Sequence, residues 1–231
     1  NTTGNHNNAL GYLALQANTT GSQNTAIGST ALYANTTASN NTATGYNSLG
    51  ANTTGTFNTA VGKAALSSNI TGSENTATGY NSQRDTTTGD YNTSYGSGSL
   101  ALNTTGGSNV AVGLNALVAN TTGQRNTAVG TFALTSSTAW PNTAVGYRAL
   151  ASTTTQNLNT AVGYLALETN TTGYRLTAVG DRALTANTTG AQNVAVGTDS
   201  LLVNTTGYNN SAVGTYALKA NTTGHSNTAV G

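Results

Sequence analysis

The sequence predicts an all-β chain, a parallel β-solenoid (β-roll) of about thirteen coils, each one repeat long. The glycines that close the Asn-Thr-Ala-Val-Gly-like segments recur at a constant spacing of seventeen, as from Gly28 to Gly45, except for the shorter step from Gly130 to Gly146. Each unit also carries Asn-Thr-Thr-Gly or a variant of it, which supplies turn chemistry. Because Gly, Asn and Thr are poor in helix interiors, a helical repeat is excluded.

The repeat unit reads N-T-A-V-G-Y-x-A-L-x-A-N-T-T-G-x-x. Its pieces Thr-Ala-Val and Ala-Leu-x-Ala are short enough for strands, so each coil is predicted to hold two strands and two turns. Successive coils would then hydrogen-bond in register about 4.8 Å apart. No linker interrupts the array, so residues 1–231 are predicted to form a single domain. Both ends fall in mid-unit, which we interpret as a slice of a longer fibre or as edges that stack on further chains.

The composition argues against several classes of protein. Lys and Arg number 7 and Asp and Glu 6, a net charge of +1, which gives no electrostatic reason to bind nucleic acid or an anionic membrane. No apolar run approaches the roughly 20 residues that span a bilayer, so we expect no membrane insertion of this segment. Cys is absent, which excludes disulfides and thiolate metal sites. The acids and the two histidines form no column and no catalytic or metal-ligating spacing, so we expect no enzyme, no metal and no cofactor.

Comparison of the copies within the chain shows what each position of the coil tolerates. The strand-closing Gly is present in 14 of 14 copies, which predicts a positive φ or a close approach of backbones. Two residues before it stands Ala, except at Ser94, and three residues after it Ala or Ser. The next position is Leu except at Gln83, and we predict that this ladder is the apolar core. Its members are Leu15, Leu32, Leu49, Leu66, Leu100, Leu117, Leu134, Leu150, Leu167, Leu184, Leu201 and Leu218.

The Asn that precedes Thr-Ala-Val forms a column that begins at Asn7 and is interrupted only by Leu176. Side-chain amides stacked at one turn would form a hydrogen-bonded ladder, which predicts a structural role for this column. Its further members are Asn24, Asn41, Asn58, Asn75, Asn92, Asn109, Asn126, Asn142, Asn159, Asn193, Asn210 and Asn227.

The Asn of Asn-Thr-Thr-Gly forms a second column, and each member fits the N-glycosylation pattern Asn-x-Ser/Thr. Two interpretations stay open: a surface stripe of covalent glycans, or a turn Asn whose neighbouring hydroxyls satisfy the backbone. The candidate acceptors are Asn1, Asn18, Asn35, Asn52, Asn69, Asn103, Asn120, Asn170, Asn187, Asn204 and Asn221, with off-column matches at Asn40, Asn92 and Asn209.

The Thr-Ala-Val strand is restricted on both of its faces. Its Ala stays small, and its last position is aliphatic in 11 of 14 copies. A strand constrained on both faces is usually buried on both, so the sequence predicts coils packed side by side as a homo-oligomer. The alternative is a monomer whose exposed face varied little.

The units near residues 137–158 are irregular and mark where the array can bend. Residues 137–141 replace the Asn-Thr-Thr-Gly turn and lose one residue, and the turn at 153–156 lacks its Gly. Trp140 is either a contact point or a turn filler. The Tyr residues that follow the strand-closing Gly offer either a stacking stripe for a sugar or receptor, or ordinary exposed positions. They are Tyr12, Tyr46, Tyr80, Tyr147 and Tyr164.

N-T-A-V-G-Y-x-A-L recurring with N-T-T-G resembles the head repeats of trimeric autotransporter adhesins of the YadA-like type. It is also similar to the repeat regions of phage tail fibres. The resemblance covers essentially the whole chain, although the repeat here is longer than the adhesin head unit. It implies a parallel β-roll, often a homotrimer, outside the cell, on a cell surface or on a virion.

These observations favour a structural extracellular fibre that self-assembles into a trimer or filament by lateral and end-to-end packing. The alternative is an adhesin or phage tail-fibre shaft that binds a host-surface receptor. A remote third is an ice-binding solenoid, which the Asn-Thr-Thr-Gly threonines disfavour because they would point to opposite faces.

Overall fold

Each coil of the chain holds one short β-strand of three or four residues, most often centred on Ala. The computed structural model describes residues 1–139 and 141–231. They divide into a first unit, Asn1–Thr122, and a second unit, Gly123–Gly231. The strands of the first unit are β1 (Asn8–Leu10), β2 (Thr25–Ile27), β3 (Thr42–Thr44), β4 (Thr59–Val61), β5 (Thr76–Thr78), β6 (Thr93–Tyr95) and β7 (Val110–Val112). Those of the second are β8 (Thr127–Val129), β9 (Asn142–Val145), β10 (Asn159–Val162), β11 (Thr177–Val179), β12 (Val194–Val196), β13 (Ser211–Val213) and β14 (Thr228–Val230).

Within each unit every strand pairs in parallel with the next strand along the chain. Ala26 of β2 lies opposite Ala43 of β3, the equivalent residue of the next repeat. At the short step of the second unit, Ala128 of β8 lies opposite Ala144 of β9. A chain that returns to the same place after each repeat is a solenoid, so the predicted parallel β-solenoid is confirmed. The described residues contain no helix, and therefore none that is long and apolar enough to cross a membrane. That residues 1–231 form one repeat domain stays a prediction.

The prediction of a second strand in each coil is wrong. The Ala-Leu-x-Ala segment lies in a turn in every copy, because the residue at its Leu position and the residue just before its first position have left-handed backbone conformations. In one coil these are Thr30, with φ +57°, and Leu32, with φ +49°. Ala31 and Leu32 are both fully buried although they are adjacent. Neighbours in a pleated strand point to opposite faces, so a strand could not direct both side chains into the interior of one coil.

Backbone hydrogen bonds join successive coils on every side of the coil, not only along the strands. The turn segments therefore stack on one another as regularly as the strands do, which makes the coil spacing uniform within a unit. In the first unit the bonds of one coil include Thr25 N to Asn41 O (2.9 Å), Leu32 N to Ser48 O (3.0 Å), Thr36 N to Thr53 O (3.3 Å) and Asn40 N to Ser22 O (3.0 Å).

The strand-closing glycine is required for both of the predicted reasons. At Gly45 φ is +133°, a backbone conformation that L side chains rarely adopt. A Cβ there would lie 2.5 Å from the carbonyl oxygen of Gly62 in the next coil. The close stacking of coils at this corner therefore admits only a residue without a side chain.

The irregular coils of the second unit keep the core and change the turn. Ser137 and Thr153 take the place of the Asn of Asn-Thr-Thr-Gly, and both are fully buried. Pro141 lies in the turn before β9, where its carbonyl accepts a hydrogen bond from Leu158 N at 2.8 Å. Pro141 has no N–H, so it cannot make the coil-to-coil bond that the equivalent residue donates in a regular coil, as Asn40 N does to Ser22 O. The prediction for Trp140 lies outside the described residues.

Candidate functional site

The predicted Leu ladder lies in the core of both units. Eleven of its twelve leucines, Leu15 to Leu201, are buried, and Leu218 is half-buried. In the first unit Leu32 belongs to one core cluster with Ala31, which precedes it, and Ala26, which centres the strand. Burying one such Leu stabilises the fold by roughly 1.5–3 kcal/mol. These columns are structural and leave the outward positions to carry any function.

The hydrogen bonds of the first Asn column run between the Asn side chains and backbone groups, and not only between the stacked side-chain amides. Asn24 Nδ2 donates to Ala38 O at 2.8 Å, and Asn24 Oδ1 accepts from Asn41 N at 3.0 Å in the next coil. The pattern continues in the second unit, where Leu176 N donates to Asn159 Oδ1 at 3.1 Å. A Leu can therefore interrupt the side-chain column without breaking the backbone half of the ladder.

The second Asn column, which carries the sequons, also points into the coil. Asn35 Nδ2 donates to Asn18 Oδ1 at 2.9 Å and to Ala38 O at 3.0 Å, so both of its amide hydrogens are used. From Asn18 to Asn204 the members of this column are at most 1% exposed, whereas Asn1 is exposed and Asn221 is half-buried. A glycan on a buried Nδ2 would have to replace these bonds and pass through the coil. The folded coil is thus incompatible with the glycan stripe at the buried positions, and the turn interpretation accounts for this column.

The outward face of the strands combines a Thr column with an aliphatic column. From β2 to β13 the residue at the strand centre is at most 1% exposed, while the residues on either side of it reach the surface. Ile27 and Val61 of the first unit are 41% and 39% exposed, and Val213 of the second is 42% exposed. The core therefore accounts for the restriction of one strand face. The other face carries partly exposed aliphatic side chains, which Thr44, Thr78 and Tyr95 interrupt in the first unit and which are Val in every coil of the second.

The tyrosines that follow the strand-closing Gly are exposed, and some contact neighbours in the same column. In the first unit Lys63 Nζ lies between two of them, 6.0 Å from the Tyr46 ring centroid and 5.8 Å from that of Tyr80. In the second unit the Tyr147 and Tyr164 rings stack with centroids 5.5 Å apart. Side chains in equivalent positions of successive coils thus stand near enough to interact directly.

The ion pairs join side chains of the same coil or of successive coils. In the first unit the Arg84 guanidinium donates hydrogen bonds to the adjacent Asp85 carboxylate, and these bonds raise the pKa of Arg84. In the second unit the Asp199 carboxylate is buried and lies 2.9 Å from Arg182 Nη2 and 3.1 Å from Lys219 Nζ. Among the described residues no three His, Asp or Glu side chains come together as a metal site.

Sequence reasoning missed a polar cluster in the core of the first unit. Gln83 and Ser94 are both buried, and Gln83 Nε2 donates to Ser94 Oγ at 2.9 Å. Ser82 Oγ bonds with Ser94 and, at 3.0 Å, with Ser99. The available signal was that Gln83 and Ser94, each the exception in its own column, stand in adjacent coils.

Comparison with known proteins finds no match, whether to a protein-family model, to a curated protein or to a solved structure. The outward columns and their geometry are therefore the basis for any statement about function.

Proposed function

We propose that this chain is a structural protein of an extracellular fibre, which assembles with copies of itself by lateral and end-to-end packing of its coils. The observation that carries the proposal is the exposed aliphatic column on the strand face of each unit. The proposal includes no catalytic role. An extracellular, cell-surface or virion-associated location is part of the proposal and is supported by the resemblance to adhesin and tail-fibre repeats.

Lateral packing would use the strand face. In the second unit this face presents Val179 and Val213, which are 36% and 42% exposed and stand two coils apart. The strands of that unit carry no charged residue in their described positions, so no charge has to be desolvated when a second copy covers them. Burial of apolar area from every coil adds along the length, which suits association of two or three parallel copies.

End-to-end packing would use the coil-to-coil hydrogen bonds. Because these bonds repeat with every coil, the donors and acceptors on one side of a coil match those on the other. A further coil, from the same chain or from another, can therefore continue the same ladder. Growth of this kind produces a filament rather than a closed particle.

The test compares the unmodified chain with two double variants of the second unit by electron microscopy and sedimentation. We expect filaments with an axial repeat of about 4.8 Å from the unmodified chain. Val179→Lys with Val213→Lys is expected to prevent lateral association, because it places charges along the stripe. Thr189→Lys with Thr223→Lys adds the same charge at exposed turn positions with the same spacing and should still assemble. A monodisperse single chain at high concentration, or equal assembly of both variants, would contradict the proposal.

A second candidate function is an adhesive or receptor-binding segment, which the exposed tyrosines favour. Tyr147 and Tyr164 are 42% and 52% exposed, although large aromatic side chains are costly to leave in water. A discrete complex with a host-surface molecule that is lost on substitution of these tyrosines, while filaments persist, would favour this function.

A further inference from the structure

Two exposed tyrosines stand two coils apart at the corner of the second unit that follows the Asn-Thr-Thr-Gly turn. Equivalent positions in four successive coils hold Tyr174, Ala191, Tyr208 and His225. Tyr174 and Tyr208 are 41% and 44% exposed. Ala191 has a methyl group where the residues on either side of it have rings, so it leaves a gap between the coils of Tyr174 and Tyr208 and forms the floor of that gap. We call this gap the tyrosine slot.

Backbone hydrogen bonds set the width of the tyrosine slot. Coils joined in this way lie about 4.8 Å apart, so the equivalent positions of Tyr174 and Tyr208 are separated by about 9.6 Å. The same column shows the distance that stacked rings adopt, since Tyr208 and His225 have centroids 4.7 Å apart and an interplanar angle of 11°. The slot is therefore two stacking distances wide, which is the width that one flat ring requires. The bonds are Gln192 N to Tyr174 O (3.0 Å), Asn209 N to Ala191 O (3.1 Å) and Ser226 N to Tyr208 O (3.0 Å).

The first unit contains a gap of the same kind that the chain fills itself. There Tyr46 and Tyr80 stand two coils apart, and the Lys63 side chain from the intervening coil lies about equally far from both rings. Two tyrosines at this separation can thus hold a group between them. In the tyrosine slot the intervening Ala191 is too short to occupy that place.

The rim of the slot is polar. The residues that follow Tyr174, Ala191 and Tyr208 are Arg175, Gln192 and Asn209, and all three are exposed. The Arg175 guanidinium carbon lies 6.0 Å from the centroid of the Tyr174 ring. Two amides and a guanidinium offer hydrogen-bond donors and acceptors beside the gap, where hydroxyl groups of a bound ring could meet them.

We propose that the tyrosine slot binds one pyranose ring of a glycan. The C–H faces of the sugar stack on Tyr174 and Tyr208, and its hydroxyls bond with Arg175, Gln192 and Asn209. A pyranose matches the slot because it has flat, weakly polar faces and a hydrogen-bonding edge, as the slot has apolar walls and a polar rim. The inference goes beyond a structural role and does not require assembly, because three coils of one chain form the whole slot.

The test uses the full chain with three probes, the methyl β-glycosides of glucose, galactose and N-acetylglucosamine. Saturation-transfer NMR detects binding, and a titration of the Tyr ring resonances measures affinity. We expect at least one probe to bind with a dissociation constant on the order of 1–10 mM, as befits a ligand of one ring. Tyr208→Ala should weaken binding roughly five- to tenfold, the effect of losing one stacking contact.

Ala191→Tyr is the decisive variant, because it fills the slot with a ring that this column already accepts in neighbouring coils. It should abolish binding while the chain stays folded. Tyr91→Ala, at an exposed tyrosine of the first unit, is the matched control and should leave binding unchanged. Absence of binding by all three probes, or binding that survives Ala191→Tyr, would overturn the proposal. Occupation of the slot by phenol but by none of the glycosides would also overturn it, by assigning an aromatic ligand.

Discussion

Replacing Gln83 by Leu is expected to stabilise the first unit. Gln83 is fully buried in the Leu ladder, and its Oε1 has no hydrogen-bond partner among the described residues. Its Nε2 donates to Thr76 O and to Ser94 Oγ, both at 2.9 Å. Its φ of +50° matches that of Leu66 and Leu100, at +50° and +53° in the adjacent coils. Leu can therefore enter this position without a change of backbone.

The expected change in the free energy of unfolding follows from the interactions that Gln83→Leu removes and those that it adds. Removal of a buried, unsatisfied acceptor recovers about 1–3 kcal/mol. Burial of a Leu side chain contributes roughly 1.5–3 kcal/mol. Against this, the two hydrogen bonds from Nε2 are lost, each worth about 0.5–1.5 kcal/mol. The centres of these ranges leave a net stabilisation of about 2 kcal/mol for Gln83→Leu.

Native-state hydrogen exchange is the suitable assay, because a repeat array does not unfold as a single two-state system. The amides to follow are those of residue 83, which donates to Ser99 O, and of Leu66, which donates to Ser82 O, both at 3.0 Å. A gain of about 2 kcal/mol corresponds to exchange that is slower by roughly thirtyfold.

Ser94→Ala supplies the control for this reasoning. Alone it removes a partner of Gln83 Nε2 and should speed exchange of the same amides. In combination with Gln83→Leu, Ser94→Ala should leave the stability of the first unit nearly unchanged or raise it, because Ala occupies that column in the other copies. Faster exchange in Gln83→Leu than in the unmodified chain, or additive effects of the two substitutions, would refute the account of the cluster.

Three other substitutions test the backbone and charge arguments, each by thermal unfolding and hydrogen exchange. Gly45→Ala should destabilise its unit by about 3 kcal/mol or more, because φ is +133° and a Cβ would lie 2.5 Å from the next coil's carbonyl oxygen; a wild-type stability would contradict this. Thr30→Asn should stabilise by about 0.5–1 kcal/mol, because a β-branched residue is strained at φ +57° and Asn tolerates it; destabilisation would count against the reasoning. Asp199→Asn should cost about 1–2 kcal/mol, because the buried carboxylate loses its charge interaction with the half-exposed Arg182 and Lys219. Added salt should reduce the difference in stability between Asp199→Asn and the unmodified chain, because salt screens the ion pairs. A stability difference that does not depend on salt would argue against the electrostatic cause.

The core columns could be predicted from the sequence because the chain contains many copies of one unit. Gly45 and Leu32 stand in columns that vary little, and the structure gives each a steric reason. The comparison between copies also contains evidence against a second strand in each coil. Ala31 and Leu32 belong to two adjacent columns that are both restricted, and two adjacent inward residues are incompatible with a pleated strand.

The parts of the site that could not be predicted depend on the path of the coil. Gln83 and Ser94 are 11 residues apart, and their contact follows only when the turn and the strand are known to face the same interior. The sequons of the second Asn column show the converse. Asn35 satisfies a surface motif in sequence, yet the turn directs its side chain inward, where both amide hydrogens are bound.

The two proposed functions use different kinds of outward position, and this makes them separable. Assembly along a fibre needs a feature that recurs from coil to coil, as the Val column through Val179 and Val213 does in every coil of the second unit. Recognition of one ligand needs a local break in the repeat, and Ala191 between Tyr174 and Tyr208 is such a break. Charges at the two valines should therefore abolish filaments and leave sugar binding intact, while Ala191→Tyr should do the reverse. If either variant abolished both properties, the slot and the stripe would belong to one interface, and the separation argued from periodicity would be wrong.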